Sequence, residues 1–258
     1  MRKNTTIRPN EAFETDAAGL TDQGKVRYNN EDAFCVNGEM GLYVVSDGMG
    51  GHNGGEVASN MIIELLPELI KNREQSGPSD ETVILKEAVL DINDKVCERG
   101  ANDEELLGMG ATVTALWFKG KKVFVAHVGD SRLYRVRKNQ LTQLTDDHSV
   151  VGALIQMGQI SAEEARVHPA KHILTSCIGS KEPIDPEVQS LRAEAEDRYL
   201  LCSDGLTNML PDDRIYTILS EQKDAQKAAQ ELIRQANDAG GEDNITVIVL
   251  MIKNKTGK

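Results

Sequence analysis

The chain has 258 residues, of which 40% are hydrophobic and 27% are charged, and its formal net charge at pH 7 is −12. This length and apolar content are those of a globular protein with a substantial core. The acidic balance argues against a nucleic-acid or anionic-membrane surface, because phosphate groups are bound through basic patches.

The cysteines and the N-terminus indicate the compartment. The four cysteines include no C-x-x-C pair, so we expect reduced thiols rather than a disulfide framework or a zinc knuckle. The first 15 residues contain no apolar leader segment, and no run approaches the roughly 20 apolar residues of a membrane span. We therefore expect a cytoplasmic protein that binds neither membranes nor nucleic acid.

The first loop, residues 18–34, carries Arg27, Glu31 and Asp32 in a segment rich in Gly and Asn. Loop placement suits all three side chains. Taken alone, such a run of charges is typical of a solvated surface. Residues 35–45 then predict a hairpin of two strands.

A glycine-rich turn follows this hairpin. Asp47 stands after the apolar run 42–45, and five glycines lie between positions 48 and 55. Because glycine lacks a Cβ and tolerates positive φ, the backbone can direct carbonyls toward whatever Asp47 binds. A dinucleotide-binding fingerprint is the rival interpretation, but it needs a glycine where Asn53 stands. A tight strand-to-helix turn with an incidental acid is the plainer interpretation of this segment alone.

Two amphipathic helices are predicted next. Apolar residues at helical spacing predict one over 57–70, which Pro67 should kink or end early. The second is predicted from the N-cap residue Asp80 through Val96. Two such helices in succession indicate a helical layer over a sheet.

The middle of the chain is rich in strands. Short connections between the strands make them antiparallel. Asp130 lies in a Gly-Asp-Ser-Arg turn between two of them, again just past an apolar run, although a simple turn explains it equally well. The predicted strands cover 111–118, 123–128, 133–137 and 141–144.

Residues 146–180 are the least regular part of the chain. Two short surface helices are predicted there, the second opened by a capping box at Ser161. His168 and His172 have the spacing of a helical metal pair, but a proline separates them and no glutamate follows the first. The zinc-protease pattern therefore fails, and we interpret both as polar loop histidines.

The last third of the chain repeats the pattern of an acid at the edge of an apolar strand. Ser203, Asp204 and Gly205 follow one such strand, and Asp243 precedes another. No internal repeat or low-complexity linker is present, which favours a single domain. The remaining predicted elements are strands over 187–191, 198–202 and 245–252, a short helix with Pro211 as its first residue, and a helix over 224–239.

Five aspartates thus share one placement, and we call them the carboxylate cluster: Asp32, Asp47, Asp130, Asp204 and Asp243. Carboxylates suit hard cations, and the lack of paired Cys or well-placed His points away from zinc and toward Mg²⁺ or Mn²⁺. Cations would also relieve the repulsion between the acids. Two ions about 3.5–4 Å apart activate a bridging water for in-line attack on phosphorus, while an arginine such as Arg27 clamps the phosphoryl oxygens.

Six motifs follow one another along the chain: T-D-x-G-x-x-R-x-x-N-E-D (21–32), V-S-D-G-M-G-G (45–51), G-M-G-A-T (108–112), V-G-D-S-R (128–132), C-S-D-G-L (202–206) and G-E-D-N-I-T (241–246). In this order and spacing they resemble the metal-dependent protein phosphatases of type 2C (PPM) in their compact bacterial form. The resemblance covers about residues 16–252 and leaves 1–15 and 253–258 as tails. It implies an α+β fold, a four-layer αββα sandwich of two antiparallel sheets flanked by helices, with a variable flap at about 146–180.

The resemblance also implies which residues bind the metals. Asp47 bridges two ions, and the Gly48 carbonyl binds one of them. Asp204 and Asp243 complete the other. Asp130, together with Asp204, holds the third ion often seen in bacterial members.

Other roles follow from the same resemblance. Glu31 and Asp32 hold metal-bound waters, and Arg27 holds the substrate phosphate. The leaving-group acid stays open, because Met49 directly follows the Asp-Gly pair. The candidates are His52 and a water on the third ion, and we favour the water.

We expect metal-dependent hydrolysis of phosphoserine and phosphothreonine in proteins by a monomeric enzyme with two Mn²⁺ or Mg²⁺ ions. Its substrates are expected to be phosphorylated proteins, including a serine/threonine kinase that it opposes. Two alternatives stay open: a phosphoesterase for small molecules, and a catalytically inactive regulatory protein on the same fold. Every ligand position is filled, which counts against the inactive protein.

Overall fold

The structure is a computed structural model that describes residues 3–4, 13–50, 53–77 and 80–254. The strands are β1 (Lys3–Asn4), β2 (Glu14–Asp22), β3 (Asp32–Asn37), β4 (Leu42–Met49), β5 (Gly110–Ala111), β6 (Val113–Lys119), β7 (Lys122–Val128), β8 (Arg132–Arg137), β9 (Gln140–Gln143), β10 (Glu187–Arg192), β11 (Arg198–Cys202) and β12 (Ile245–Lys253). The α-helices are α1 (Gly54–Gln75), α2 (Glu81–Ala101), α3 (Val150–Gln156), α4 (Ala162–Arg166), α5 (Asp204–Thr207), α6 (Asp212–Glu221) and α7 (Ala225–Asp238).

The strands form two antiparallel sheets. The first has the order β1-β2-β12-β11-β8-β9, and the second has the order β10-β7-β6-β4-β3, with β5 paired to β4. Helices α1 and α2 pack on the outer face of the second sheet, and α6 and α7 pack on that of the first. A third apolar layer lies between the two sheets. This arrangement confirms the predicted αββα sandwich.

Strand β12 shows how the layers are built. Its side chains alternate, as in any strand: Val247 and Val249 face the helices, whereas Ile248 and Leu250 face the other sheet. All four are fully buried. Because both faces are covered, the strand reads as a continuous apolar run, and each such side chain stabilises the fold by about 1.5–3 kcal/mol.

Helix α1 differs from the prediction, because it continues through Pro67 to Gln75. A kink or an early end was expected at Pro67, and the early end does not occur. A proline inside a helix costs about 3 kcal/mol. The helix also buries Leu66 and Ile70 completely on either side of the proline, and burial of two such side chains outweighs that cost.

Strand β4 also runs further than predicted. We expected the strand to stop before Asp47, but it continues to Met49, because Gly48 pairs with Ala111 and Met49 with Gly110 in β5. Asp47 therefore lies within β4, with β3 on one side and the segment that leads into β5 and β6 on the other. Its partner across the sheet is Asp32, at the start of β3.

Most predicted helix starts are confirmed. The side chain of Asp80 accepts a hydrogen bond from the N–H of Thr82, and Ser161 and Glu164 form a complete capping box. Pro211 is the N-cap residue of α6 rather than its first helical residue. None of the described helices has the length and apolar character needed to cross a membrane.

Three strands lie near the predicted boundaries of the domain. Strand β1, which the sequence did not predict, lies in the predicted N-terminal tail and pairs with β2, where Lys3 stands opposite Gly19. Strand β2 begins at Glu14 and β12 ends at Lys253. The boundaries at residues 16 and 252 stay a prediction.

Candidate active site

A cavity of about 260 Å³ opens where the strand ends of both sheets meet. It lies beside the end of β4, the turn between β7 and β8, the start of α5 and the residues before β12. Asp32 stands opposite Asp47 at the same end of the sheet. The structure thus brings the predicted site residues together, and those that line the cavity are Arg27, Glu31, Asp47, Gly48, Asp130, Asp204 and Asp243.

Hydrogen bonds to Thr112 hold the backbone of Asp47. The N–H of Asp47 donates to Thr112 Oγ1 at 2.9 Å, and the carbonyl of Asp47 accepts from the N–H of Thr112 at 2.9 Å. Thr112 Oγ1 also lies 2.7 Å from Ser131 Oγ, in the turn that carries Asp130. Thr112 therefore links the two strand ends from which Asp47 and Asp130 project.

Gly48 is required by close approach of the backbone. A Cβ at this position would lie 2.1 Å from the carbonyl oxygen of Gly55 and 2.5 Å from that of Glu31. No other residue fits there without displacement of backbone. The next glycine, Gly50, has φ +147°, as the glycine-rich turn predicted.

Asp32 is a buried carboxylate with an unsatisfied oxygen. Its Oδ2 accepts a hydrogen bond from Ser203 Oγ at 2.7 Å, whereas Oδ1 has no partner within the described structure. Burial, together with the nearby charges of Asp204 and Asp243, raises the pKa of Asp32 to about 7. A buried acceptor without a partner is costly, so Oδ1 is placed for a ligand that the chain itself does not provide.

The other buried acids show the same electrostatic pattern. Burial raises the pKa of Asp47 well above its usual range, and the charges of Asp32 and Asp204 raise it further. Burial likewise raises the pKa of Asp130 and of Asp204. Each acid is destabilised in its charged form by desolvation and by its neighbours, and a cation among them reverses both effects.

Arg27 reaches the cluster from the loop after β2. Its Nη2 donates to Asp243 Oδ2 at 2.7 Å, and its side chain is about half exposed toward the cavity. Asn244 holds this loop: its Nδ2 donates to the carbonyls of Gln23 (2.9 Å) and Asn29 (2.8 Å), and its Oδ1 accepts from the N–H of Glu31 at 2.9 Å. One buried amide thus positions the segment that carries both Arg27 and Glu31.

The donor set fits a hard divalent cation. The predicted ligands offer only carboxylate and carbonyl oxygens, which Mg²⁺ and Mn²⁺ prefer. The unsatisfied Oδ1 of Asp32 and the raised pKa values of the buried acids both favour the binding of positive charge. Gly48 lines the same cavity, so its carbonyl is a candidate for a further oxygen ligand.

Comparison with known proteins agrees with this geometry. The sequence profile of the family described as protein phosphatase 2C matches residues 25–246. The chain belongs to the protein phosphatase 2C family.

The relatives of this phosphatase include named enzymes. The serine/threonine phosphatase stp of Listeria monocytogenes is 37% identical over 234 residues, which are 89% of this chain and 93% of that protein. The serine/threonine protein phosphatase PstP of Mycobacterium tuberculosis is 39% identical over 232 residues, which are 90% of this chain and 44% of that longer protein. The catalytic domain of PstP, solved in complex with two manganese ions, superposes with a TM-score of 0.83 at 36% identity and covers 93% of this chain and 99% of that one.

A second group of ligand-type side chains lies apart from the carboxylate cluster of this phosphatase. Nitrogen and oxygen atoms of His127, His148 and Glu187 lie within 4.8 Å of one another. Both ring nitrogens of His127 are engaged, however, one with Thr114 Oγ1 and one with the carbonyl of Asp146, each at 3.0 Å. Burial lowers the pKa of His127 to about 4, so the ring is neutral at pH 7. Its role is structural, because it joins Thr114 to the carbonyl of Asp146 by hydrogen bonds.

Sequence reasoning missed several residues of the phosphatase site. His172, interpreted as a polar loop residue, lines the cavity beside Asp204. Asn244 and Thr112 belong to two of the six motifs, but the sequence assigned no role to either residue. Their positions in the G-E-D-N-I-T and G-M-G-A-T motifs were the available signal. His52 lies outside the described residues, so its role as leaving-group acid stays a prediction.

The flap of the phosphatase covers a second, larger cavity. This space of about 460 Å³ lies between α3 and α4 of the flap and the body of the protein, and it shares Asp130 and Asp204 with the smaller cavity. Arg166 in α4 holds the flap down, because its Nη2 donates to the carbonyls of Thr207 (3.0 Å) and Leu210 (2.9 Å). The flap is thereby tied to the segment that begins with Asp204.

Proposed function

We propose that this chain hydrolyses phosphoserine and phosphothreonine in proteins at the carboxylate cluster, with two Mn²⁺ or Mg²⁺ ions bound there. Membership of the family makes the chain a metal-dependent serine/threonine protein phosphatase. The observation that carries the proposed site is that four aspartates line one cavity, with the unsatisfied carboxylate oxygen of a fifth, Asp32, on the strand paired with Asp47.

We assign the metal ligands as follows. Asp47 would lie between the two ions, the Gly48 carbonyl would bind one of them, and Asp204 and Asp243 would bind the other. Asp130 would take part in a third site. When bound, such ions supply Lewis acidity toward water and toward the phosphoryl oxygens.

The chain's own side chains orient the substrate. Arg27 presents a guanidinium to the cavity, and such a group binds two phosphoryl oxygens at once. Its bond to Asp243 limits its rotamers, so the group is positioned before substrate arrives. Glu31 and Asp32 would accept hydrogen bonds from water in the cavity and so orient it.

The substrates are phosphorylated proteins, and we propose that a serine/threonine kinase is among them and that the enzyme acts as a monomer. Chelation provides the test of the activity. EDTA should abolish hydrolysis of a phosphothreonine peptide, and Mn²⁺ or Mg²⁺ should restore it. Activity that persists in EDTA would exclude the metal mechanism.

The same assay separates the alternatives. A small-molecule phosphoesterase would prefer small phosphoesters over phosphopeptides by kcat/KM. An inactive regulatory protein would hydrolyse neither. Light scattering after gel filtration would report the oligomeric state.

A further inference from the structure

Two apolar side chains stand exposed beside the phosphate cavity, and both directly follow residues that line it. Tyr28 comes after Arg27 and is 100% exposed, and Ile173 comes after His172 and is 54% exposed. They belong to two different segments, the loop after β2 and the flap.

Hydrogen bonds fix the backbone of the loop that carries Tyr28, so the ring projects from a well-defined position. The carbonyl of Arg27 accepts a hydrogen bond from Gln23 Nε2 at 2.7 Å, and the N–H of Lys25 donates to the carbonyl of Gly241 at 2.7 Å. Asn244 adds its two bonds to the same loop. A large ring on a tied backbone loses little conformational entropy when it makes a contact.

Ile173 is held in a comparable way. Its carbonyl accepts from the N–H of Val150 at 2.9 Å, and its N–H donates to the carbonyl of Ala170 at 3.1 Å. The next residue, Leu174, also lines the cavity. The flap therefore presents an exposed aliphatic side chain between two residues that line the cavity.

The reach of an extended peptide connects these side chains to the substrate. Adjacent Cα atoms are about 3.8 Å apart, and an extended chain advances about 3.3–3.6 Å per residue. When a phosphoresidue places its phosphate against Arg27, residues one to three places away pass within reach of Tyr28. A polypeptide substrate whose phosphate is bound at Arg27 is therefore long enough to contact Tyr28.

We propose that Tyr28, assisted by Ile173, binds an apolar side chain within three residues of the phosphoserine or phosphothreonine, and so selects the substrates of this enzyme. The inference rests on the proposed function. Aromatic side chains on rigid loops are frequent anchors of protein interfaces. The acidic cavity and the net charge of −12 disfavour acidic flanking residues. The exposed surfaces of Tyr28 and Ile173 match apolar side chains, because contact removes apolar area on both partners from water.

Steady-state kinetics of the full chain with Mn²⁺ test the proposal. The substrates are phosphothreonine peptides that differ only in one flanking residue, Leu, Phe, Ala or Asp, placed in turn at each of the three positions on either side, with an aryl phosphate as reference. We expect at least one position where Leu or Phe lowers KM by about 3- to 10-fold relative to Ala, with little change in kcat. Asp should raise KM.

The variants assign this preference to the ring. Tyr28→Ala should remove most of the Leu or Phe preference, whereas Tyr28→Phe should keep it, since the hydroxyl makes no hydrogen bond within the described structure. Ile173→Ala should remove part of it. Val83→Ala is the matched control, because Val83 is a 44% exposed apolar residue on α2, outside both cavities, and the preference should survive there.

Three results would overturn the proposal. These are equal turnover of all the peptides by the wild-type enzyme, an unchanged preference in Tyr28→Ala, and equal losses of aryl phosphate and peptide turnover in Tyr28→Ala. A concentration-dependent dimer that Tyr28→Ala abolishes would assign the side chain to self-association instead. Wild-type protein that hydrolyses neither the peptides nor the aryl phosphate would refute the proposed function itself. Hydrolysis of the aryl phosphate without a preference among the peptides would refute only the role of Tyr28.

Discussion

The carboxylate cluster and the flap are built in opposite ways. Contacts between residues far apart in the chain hold the cluster: Ser203 bonds Asp32 across 171 positions, and Asn244 bonds Glu31 across 213. The flap is bonded to the rest of the protein near both of its ends, through Asp147 and through Ile178, whereas between these ends α3 and α4 are held by their own caps and by Arg166. The cluster therefore has one arrangement that depends on the whole fold, whereas the middle of the flap depends mainly on contacts within the flap.

This difference assigns separate tasks to the two regions. Buried, hydrogen-bonded acids suit chemistry, which tolerates little displacement of the reacting groups. A surface segment that is anchored at its ends and irregular between them suits the choice of substrate. Substitutions in the cluster should therefore abolish turnover of every substrate, whereas substitutions in the flap should affect large substrates more than small ones.

The largest effect is expected from Asp47→Asn. This change keeps the shape of the side chain but removes the charge placed between the two proposed ions. We expect turnover of peptide and aryl phosphate to fall by about 10³-fold or more, together with loss of Mn²⁺ binding by calorimetry. Asp185→Asn, at an exposed acid paired with Lys86, is the control for charge alone and should behave as wild type.

Arg27→Ala should weaken the binding of substrate phosphate without loss of the metal ions. Loss of charge-assisted hydrogen bonds to the phosphate should raise KM by about 10- to 100-fold for both substrates. Mn²⁺ binding should persist, because Arg27 only neighbours Asp243 and is not a ligand. Loss of Mn²⁺ equal to that of Asp47→Asn would refute this division of roles.

The metal-free cluster should make the fold less stable as pH rises. Burial raises the pKa of Asp32 to about 7 from an unfolded value near 3.8, so the folded chain keeps a proton that the unfolded chain releases. The contribution of protonated Asp32 to the free energy of unfolding is complete below the unfolded pKa, and it is lost as pH rises through the folded pKa of about 7. In EDTA, the Tm of wild type minus that of Asp32→Asn should fall between pH 5 and 8. A difference that rises with pH would contradict the assignment.

The smallest effect is expected at the flap anchor. Arg166→Ala removes two hydrogen bonds to the segment after Asp204, so kcat/KM for a phosphoprotein should fall by about 3- to 10-fold while aryl phosphate changes less. Arg234→Ala, an exposed arginine on α7, is the matched control. An equal loss on both substrates would mean that the flap supports the chemistry as well.

The sequence predicted the local features of both regions. Apolar periodicity gave most strands and helices, and the caps at Asp80 and Ser161 were read correctly because such caps depend on neighbours within three residues. The continuation of α1 through Pro67 was missed, since only tertiary packing outweighs the local preference of proline.

The site could be predicted only in part. The family motifs brought out the acids, but a single sequence does not show that Asn244 bonds the loop before Glu31 or that His172 reaches the cavity. Both depend on chain segments that meet only in the folded state. The extension of β4 to Met49 was missed for the same reason, because its partner β5 lies about 60 residues away.

The central claim is that the carboxylate cluster holds the metal ions. Crystals grown with Mn²⁺ and measured with anomalous scattering test it directly. We expect two anomalous peaks beside Asp47, with Asp204 and Asp243 among the ligands, and neither peak in crystals of Asp47→Asn. Peaks at His127, His148 and Glu187 instead, with none beside Asp47, would contradict it.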